Sequence, residues 1–568
     1  MKPILLLLLA TLVGSCTTLL AGKKQPTSHT YQQAIQAIQA QDYSTGLDLL
    51  SQEQEKNPDN GYILTWMGVS QLGLLEYGQA LNSTGQAIRL LPPKEEQMRS
   101  LAYYISALSY EGLEQTDLAI EQMSKAIEYA PQDASLYERR GYLYRDQGRL
   151  DLAEADFQQI ISFAPGDSKG YVGIASIRYI QKNYTEAIKL LDLGIKLHAH
   201  DYQVYLLRSY CHTALGQYSQ AADNAISSLN AQDNIEAFFQ LQSIALADFQ
   251  AMLQPLEAMR IKEPDNDTWD YNLGCICQIT NRYPQAIGYY RQCTENTELT
   301  RANIAFCLKE VGDYRQALLT IDSVLTVTPT DYEALLCKAS ILYLAGYPQK
   351  AIAQTDLYNA HYQPSTDAHY WRGYYKNLSS DYDGALADLD TALILDPQNS
   401  KALLLRGEVY RQKGDLEQAS NDYRASLAID TINGQQMFSP LAWLGIGETK
   451  RAIATADSLI ADEPSNSDRY FAASQLHARL GNTEKALDFL EQAFEKGFRK
   501  FVLLDIPDME PLHNQPRYQE LLQKYPRPAQ IELPNGLIAP QTFPTVPNDN
   551  HREEDIDISK GHLARQVA

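Results

Sequence analysis

From Thr27 onward, apolar residues fall three and four apart over stretches of about 12 residues, separated by short polar turns. That period predicts a chain of short helices, each apolar on one side. Helices of this length are marginal alone, so neighbours must supply the buried surface. A small residue opens the apolar side of every second helix, at Gly46, Ala80, Ala119, Ala153, Ala187 and Ala221. The series resumes at Ala286, Ala317, Ala351, Ala385, Ala419, Ala452 and Ala486, with most intervals about 34 residues long. Residues 134–167 illustrate the unit. Tyr137, Arg140, Gly141 and Tyr144 lie on a first helix, Gln147-Gly148-Arg149 breaks it, Ala153, Phe157 and Ile160 lie on a second, and Pro165 ends it. Gly141 and Ala153 allow close helix approach, and Tyr137, Tyr144 and Phe157 fill the space around them.

The large aromatic, paired small residues, second-helix alanine and closing proline resemble the tetratricopeptide repeat family. The resemblance covers residues 27–500 and implies an all-α, right-handed superhelical solenoid of about 14 helix-turn-helix units. Units begin near Thr27, Gly61, Ser100, Ala134, Ser168, Tyr202, Glu236, Asp267, Glu298, Tyr332, Thr366, Ser400, Gln436 and Ser467. Residues 236–266 are degenerate, with Pro255 and no clear glycine turn, the unit near Gln436 has a short first helix, and residues 95–99 read as an insertion. Phe498-Arg499-Lys500, Asp505, Pro511-Leu512 and Pro516-Arg517-Tyr518 resemble the helical cap that closes many bacterial arrays, so residues 501–525 are expected to be that cap. Residues 526–568 contain six prolines and read as a disordered tail.

The first residues carry an address. Lys2, an apolar run from Ile4 to Val13, and Gly14-Ser15-Cys16 have the form of an export signal. The ending resembles a bacterial lipoprotein box, with residues 1–15 as signal peptide, Cys16 as the lipidated residue and 16–26 as linker. The alternative is an ordinary signal peptide with a chance cysteine. Two or three acyl chains, at about 0.8 kcal/mol per buried CH₂, would anchor the protein stably. With Thr17 and Thr18 after the cysteine, the resemblance implies an outer-membrane lipoprotein facing the periplasm.

Composition narrows the function. Seventy acidic against 48 basic residues give a formal charge of −22, which argues against a nucleic-acid grip. No G-x-x-x-x-G-K-[ST] loop, G-x-S-x-G elbow, H-E-x-x-H helix or Asp-[Ser/Thr]-Gly occurs. The expectation is therefore no enzyme, no cofactor and no metal. Cys211, Cys275, Cys277, Cys293, Cys307 and Cys337 read as small buried residues, with a Cys277–Cys293 disulfide as the alternative. His198 and His200 are read as solvent-facing residues.

The chain has 37 tyrosines. Tyr43, Tyr77, Tyr184, Tyr218, Tyr283, Tyr314 and Tyr382 share a turn-adjacent packing slot, and Tyr103, Tyr110, Tyr137, Tyr171 and Tyr205 are interior. The resemblance implies a groove lined by first-helix positions 2, 5, 9, 12 and 13. Those slots hold Tyr104, Tyr142, Arg145, Tyr179, Tyr210, Tyr271, Tyr343, Tyr370, Tyr374, Asn377, Glu408 and Arg411, with Tyr31 as a further candidate. Tyrosine offers a flat apolar face and one hydroxyl at low entropic cost, which suits peptide contact; the same rings could instead pack neighbouring helices. The family's repeated Lys and Asn carboxylate clamp is absent. The expectation is a non-enzymatic scaffold binding envelope proteins or extended peptides within an assembly or secretion complex. The alternative is a glycan-binding lipoprotein of a nutrient-uptake system.

Overall fold

The computed structural model describes residues 26–533 except 198–200, 233, 295–296, 362–364, 434–438 and 529–530. The signal-like segment, Cys16, His198, His200 and residues from 534 lie outside the described residues. Among the described residues every regular element is helical. Fourteen helix pairs run from His29–Gln39 with Tyr43–Lys56 to Ser467–Arg479 with Thr483–Glu495. First helices start at Gly61, Ala134, Ser168, Tyr202, Asp267, Glu298, Tyr332, Thr366, Ser400 and Ser467, where the repeat period places them. The expected insertion at 95–99 is instead helical: the third pair's first helix begins at Glu96 and is 17 residues long. The short helix of the thirteenth pair is Ser439–Gly445. None of the described helices is long and apolar enough to cross a membrane.

Caps and turns repeat with the same period. Asn60, Asp133, Asp167, Asp201, Asn266, Asp331, Asn399 and Asn466 each precede a first helix and accept a hydrogen bond from one of its unpaired backbone N–H groups. Within every pair but the seventh, the turn contains a residue with positive φ. It is glycine at 148, 216, 312, 346, 414, 447 and 481, and Gln41, Leu75, Glu114, Lys182, Asn281 or Ser380 elsewhere. The seventh pair joins Ile235–Ala247 to Phe249–Lys262 through Asp248 in extended backbone, and Pro255 lies inside its second helix.

Packing within and between pairs follows from small residues. A Cβ on Gly141 would come within 2.8 Å of the Phe157 ring, and one on Gly173 of the next pair would penetrate the same ring. Phe157 is fully buried between them. Tyr423 fills the equivalent space between Gly407 and Gly445. Tyr137, Tyr171 and Tyr470 donate their hydroxyls to the carbonyls of Pro131, Pro165 and Pro464, tying each first helix to the preceding proline.

Much of the acidity is structural as well as solubilising. A cation at position 7 of a first helix reaches an acid on the second helix of its own pair, one on the second helix of the previous pair, or both. Arg406 binds Asp422 at 2.7 Å and Asp390 at 2.7 Å. Arg372 joins Asp388 and Asp356, Arg140 joins Asp156, Arg208 joins Asp192, and Lys338 joins Asp322. Burial alone would raise the Asp388 carboxyl, but Arg372 and Lys376 hold it below its ordinary range.

The expected single array divides into two compact units, one ending at Gln240 and one starting at Leu241. The division falls inside the first helix of the degenerate seventh pair, where the repeated turn is missing.

Candidate functional site

In the N-terminal unit the first-helix face changes character along the array. Tyr31, Tyr62 and Tyr104, on the first three pairs, are buried. Tyr142, Tyr179 and Tyr210, on the next three, are only half-buried. The Tyr142 ring meets Phe157 edge-on at 5.2 Å, and the Arg145 guanidinium lies 4.7 Å from its centroid. Asp146 holds Arg145 at 2.6 Å. Tyr179 and Tyr210, from neighbouring pairs, stand 6.4 Å apart, and Tyr184 supports Tyr179 at 5.6 Å. Sequence spacing thus brings Tyr142, Arg145, Tyr179 and Tyr210 onto one half-open ledge. Tyr104 lies beneath it beside the Arg139–Glu111 ion pair.

One acid on this ledge is not among the residues that sequence singled out. Glu138, one turn before Tyr142, has Lys169 at 3.8 Å, with Asp167, Arg139 and Asp201 also within its field. Its burial, despite Lys169, pushes the carboxyl up to about 7. Its signal was available in the sequence: it occupies groove position 5 of the fourth unit.

The C-terminal unit is different because its own chain lies across the first-helix face. After the last pair, Phe501–Asp505, Pro507–Met509, Glu510–His513 and Pro516–Lys524 form short helical segments. Phe498, Phe501, Leu504, Met509, Leu512, Tyr518 and Leu521 form one core with Tyr470, Phe471, Leu490 and Phe494 of the last pair. From that anchorage the segment reaches back to much earlier pairs. The Lys500 ammonium sits 2.9 Å from Glu310 and 2.6 Å from Asp468. Tyr314 donates its hydroxyl to the Arg499 carbonyl at 2.9 Å. Asp508 accepts from Arg411 at 2.9 Å and from Gln475 at 2.8 Å. Burial would raise Glu310, yet Lys309 and Lys500 bring it down to about 2.

Of the remaining sequence candidates, Arg411 is bonded to this segment. Arg411 is committed to Asp508 and Glu408, and Glu408 is buried against Arg479 at 2.9 Å and the Tyr423 hydroxyl at 2.8 Å. Tyr343 is buried and stacked on Tyr375 at 5.2 Å. Tyr370 and Tyr374 are half-buried and pack on Trp371 at 5.1 and 5.7 Å. Asn377 is buried, and Tyr271 packs on Tyr290 at 5.8 Å and accepts a hydrogen bond from Asn303. Glu408 and Arg411 are therefore corrected from groove contacts to internal ones: Asp508 of the C-terminal segment engages Arg411, while Arg411, Arg479 and Tyr423 satisfy Glu408. The segment also passes the expected end of the cap at residue 525: Arg527 pairs with Asp505, and Tyr347 donates to the Ile531 carbonyl at 2.6 Å.

Cys211, Cys275, Cys277, Cys293 and Cys307 are buried and Cys337 half-buried, all as free thiols. Burial pushes Cys277 and Cys293 up to about 12, so neither is primed as a thiolate. The described residues contain no group of three or more His, Cys, Asp or Glu side chains placed to hold a metal ion.

Tetratricopeptide repeat family models match residues 106–168, 379–431 and 467–495. Among curated proteins, the chain is similar to the chicken (Gallus gallus) DnaJ homolog subfamily C member 3. They are 24% identical over 385 residues, covering 64% of this chain and 67% of that protein. It is also similar to the Arabidopsis thaliana protein CTR9 homolog, at 22% identity over 44% of this chain and 24% of the relative. The chain spans about two-thirds of the first of these and a quarter of the second. A solved tetratricopeptide repeat protein from Parabacteroides merdae aligns at 16% identity and a TM-score of 0.34, covering 49% of this chain and 98% of its own.

Proposed function

This chain is a tetratricopeptide repeat protein, and we propose that it is a non-enzymatic scaffold that holds a partner protein on the first-helix face of its N-terminal unit. The observation that carries this reading is the contrast between the two faces. Tyr142, Tyr179 and Tyr210 form a half-open aromatic ledge, whereas in the C-terminal unit Arg499, Lys500, Asp508 and Ile531 bond to Tyr314, Glu310, Arg411 and Tyr347. Flat rings with a polar tip suit contact with an extended peptide, which lies along several helices at once. Replacing Tyr142, Tyr179 and Tyr210 together by Ala is expected to abolish partner capture while the helical melt is retained. Unchanged capture would refute the ledge as the docking surface.

The scaffold is further proposed to sit on the periplasmic side of a bacterial outer membrane, anchored by lipid on Cys16, and to serve an assembly or secretion complex. The support is the Lys2 to Cys16 pattern of charge, apolar run and small-residue site. Cell fractionation of the Cys16→Ala protein tests it: release from the membrane is expected, and unchanged membrane association would sink the anchor.

A glycan-binding role has one specific observation in its favour. Trp371 is 37% exposed amid Tyr370, Tyr374 and Tyr375, and such a cluster could stack on a sugar ring. Glycan-array binding that depends on Trp371 would favour this reading over the peptide scaffold.

A further inference from the structure

We infer that the partner segment held by the N-terminal unit carries a lysine, whose ammonium is received by Glu138 while the flanking residues lie on Tyr142, Tyr179 and Tyr210. This rests on the scaffold reading and specifies the chemistry of its ligand. The C-terminal unit provides the precedent within the same molecule. There, a segment crossing the first helices places Lys500 between Glu310 and Asp468, with Tyr283, Tyr314 and Tyr374 in its electrostatic surroundings. The Tyr314 hydroxyl grips the adjacent main-chain carbonyl. An acid deep on the face, a second acid beside it and surrounding tyrosines together make a receptor for an ammonium ion in an apolar-flanked chain.

The N-terminal ledge repeats those ingredients without so close a cation. Lys169 stands 3.8 Å from Glu138, well beyond the range of a charge-assisted hydrogen bond, and its ammonium also donates to Ser135 at 3.1 Å. Arg139 is engaged by Glu111. Asp167 and Asp201 face Glu138 with the same sign of charge, and Tyr104 and Tyr142 lie within its field. A half-buried carboxyl so placed resists ionisation, and its level of about 7 reflects that. An incoming ammonium would relieve both the burial penalty and the repulsion from Asp167 and Asp201. An acidic segment would add to the repulsion, and the overall charge of −22 also disfavours it.

Fluorescein-labelled peptides of about 12 residues, with Phe and Leu flanking a central Lys, norleucine or Glu, test this by anisotropy against the full chain. The Lys peptide is expected to bind about tenfold more tightly than its norleucine counterpart, and the Glu peptide most weakly. Glu138→Gln should cut the ratio of Lys to norleucine affinity to below about threefold. Affinity for the Lys peptide should rise from pH 6 to pH 8 as Glu138 ionises, and Glu138→Gln should flatten that rise. Equal binding of Lys and norleucine peptides to the unaltered chain would overturn the inference without reference to any variant. So would a Lys preference that survives Glu138→Gln. If the triple tyrosine change abolishes partner capture but Glu138→Gln does not alter it, the ledge stands and the lysine assignment falls.

Discussion

Glu138 and Glu310 are both glutamates on first helices, in the fourth and ninth pairs, yet their surroundings give them opposite properties. Glu310 receives Lys309 and Lys500 and is brought down to about 2 although burial opposes it. Glu138 has a looser cation and two acids facing it, and burial takes it up to about 7. The contrast teaches that a first-helix slot does not make a binding surface by itself. In the C-terminal unit, the chain supplies its own Lys500, Asp508 and Ile531 carbonyl to that face. In the N-terminal unit Tyr142, Tyr179 and Tyr210 remain half-buried, as Tyr370 and Tyr374 do in the other unit, but the acid has only the more distant Lys169. The first arrangement is a completed core and the second an incomplete one.

The largest expected effect would show that both units share one packing logic despite this difference. Phe157→Ala empties the space between Gly141 and Gly173 and should destabilise the N-terminal unit by about 4 kcal/mol. Segment-resolved hydrogen exchange measures the loss there. Lys500→Ala strips Glu310 of one of its two cations and should cost the C-terminal unit about 3 kcal/mol. The Tyr314 and Glu310 regions should lose exchange protection together. If Lys500→Ala is neutral, the C-terminal segment is a loose strap and the comparison fails.

Acid and base should separate the two glutamates. Glu310 titrates lower when folded than its ordinary 4.5, so the unfolded chain binds the proton first. Its contribution is therefore present above about pH 4.5 and disappears as pH falls toward 2. Glu138 titrates higher when folded, so its effect has the opposite sign: the N-terminal unit loses stability as pH rises from 4.5 to about 7. Exchange protection followed from pH 4 to pH 8 in Glu138→Gln, against the unaltered chain, reads this loss. The smallest effect concerns the turns that both units share. Leu75 holds a positive φ where other pairs use glycine, and Leu75→Gly should stabilise by about 0.5–1 kcal/mol, measured by denaturant unfolding.

The repeat was legible because its signals are local: turn residues, small residues and large aromatics recur with one period, and ten first helices start where that period places them. Degeneracy at 236–266 was also legible, and the division between the units falls there. Tyr142, Arg145, Tyr179 and Tyr210 could be placed on the same side because neighbouring first helices align equivalent positions. What escaped was non-local. The sequence separation between Lys500 and Glu310, or between Asp508 and Arg411, leaves no periodic trace. The position-7 ladder escaped for a related reason, since its partners lie on different helices and read as scattered charge.

Tyrosine footprinting by mass spectrometry, with and without bound partner, tests most directly whether binding belongs to the N-terminal ledge and not to the filled face of the C-terminal unit. Labelling of Tyr142, Tyr179 and Tyr210 should fall on binding, while Tyr343, Tyr370 and Tyr374 keep the same labelling in both states. Protection of Tyr343, Tyr370 and Tyr374, with the N-terminal three unchanged, would contradict it.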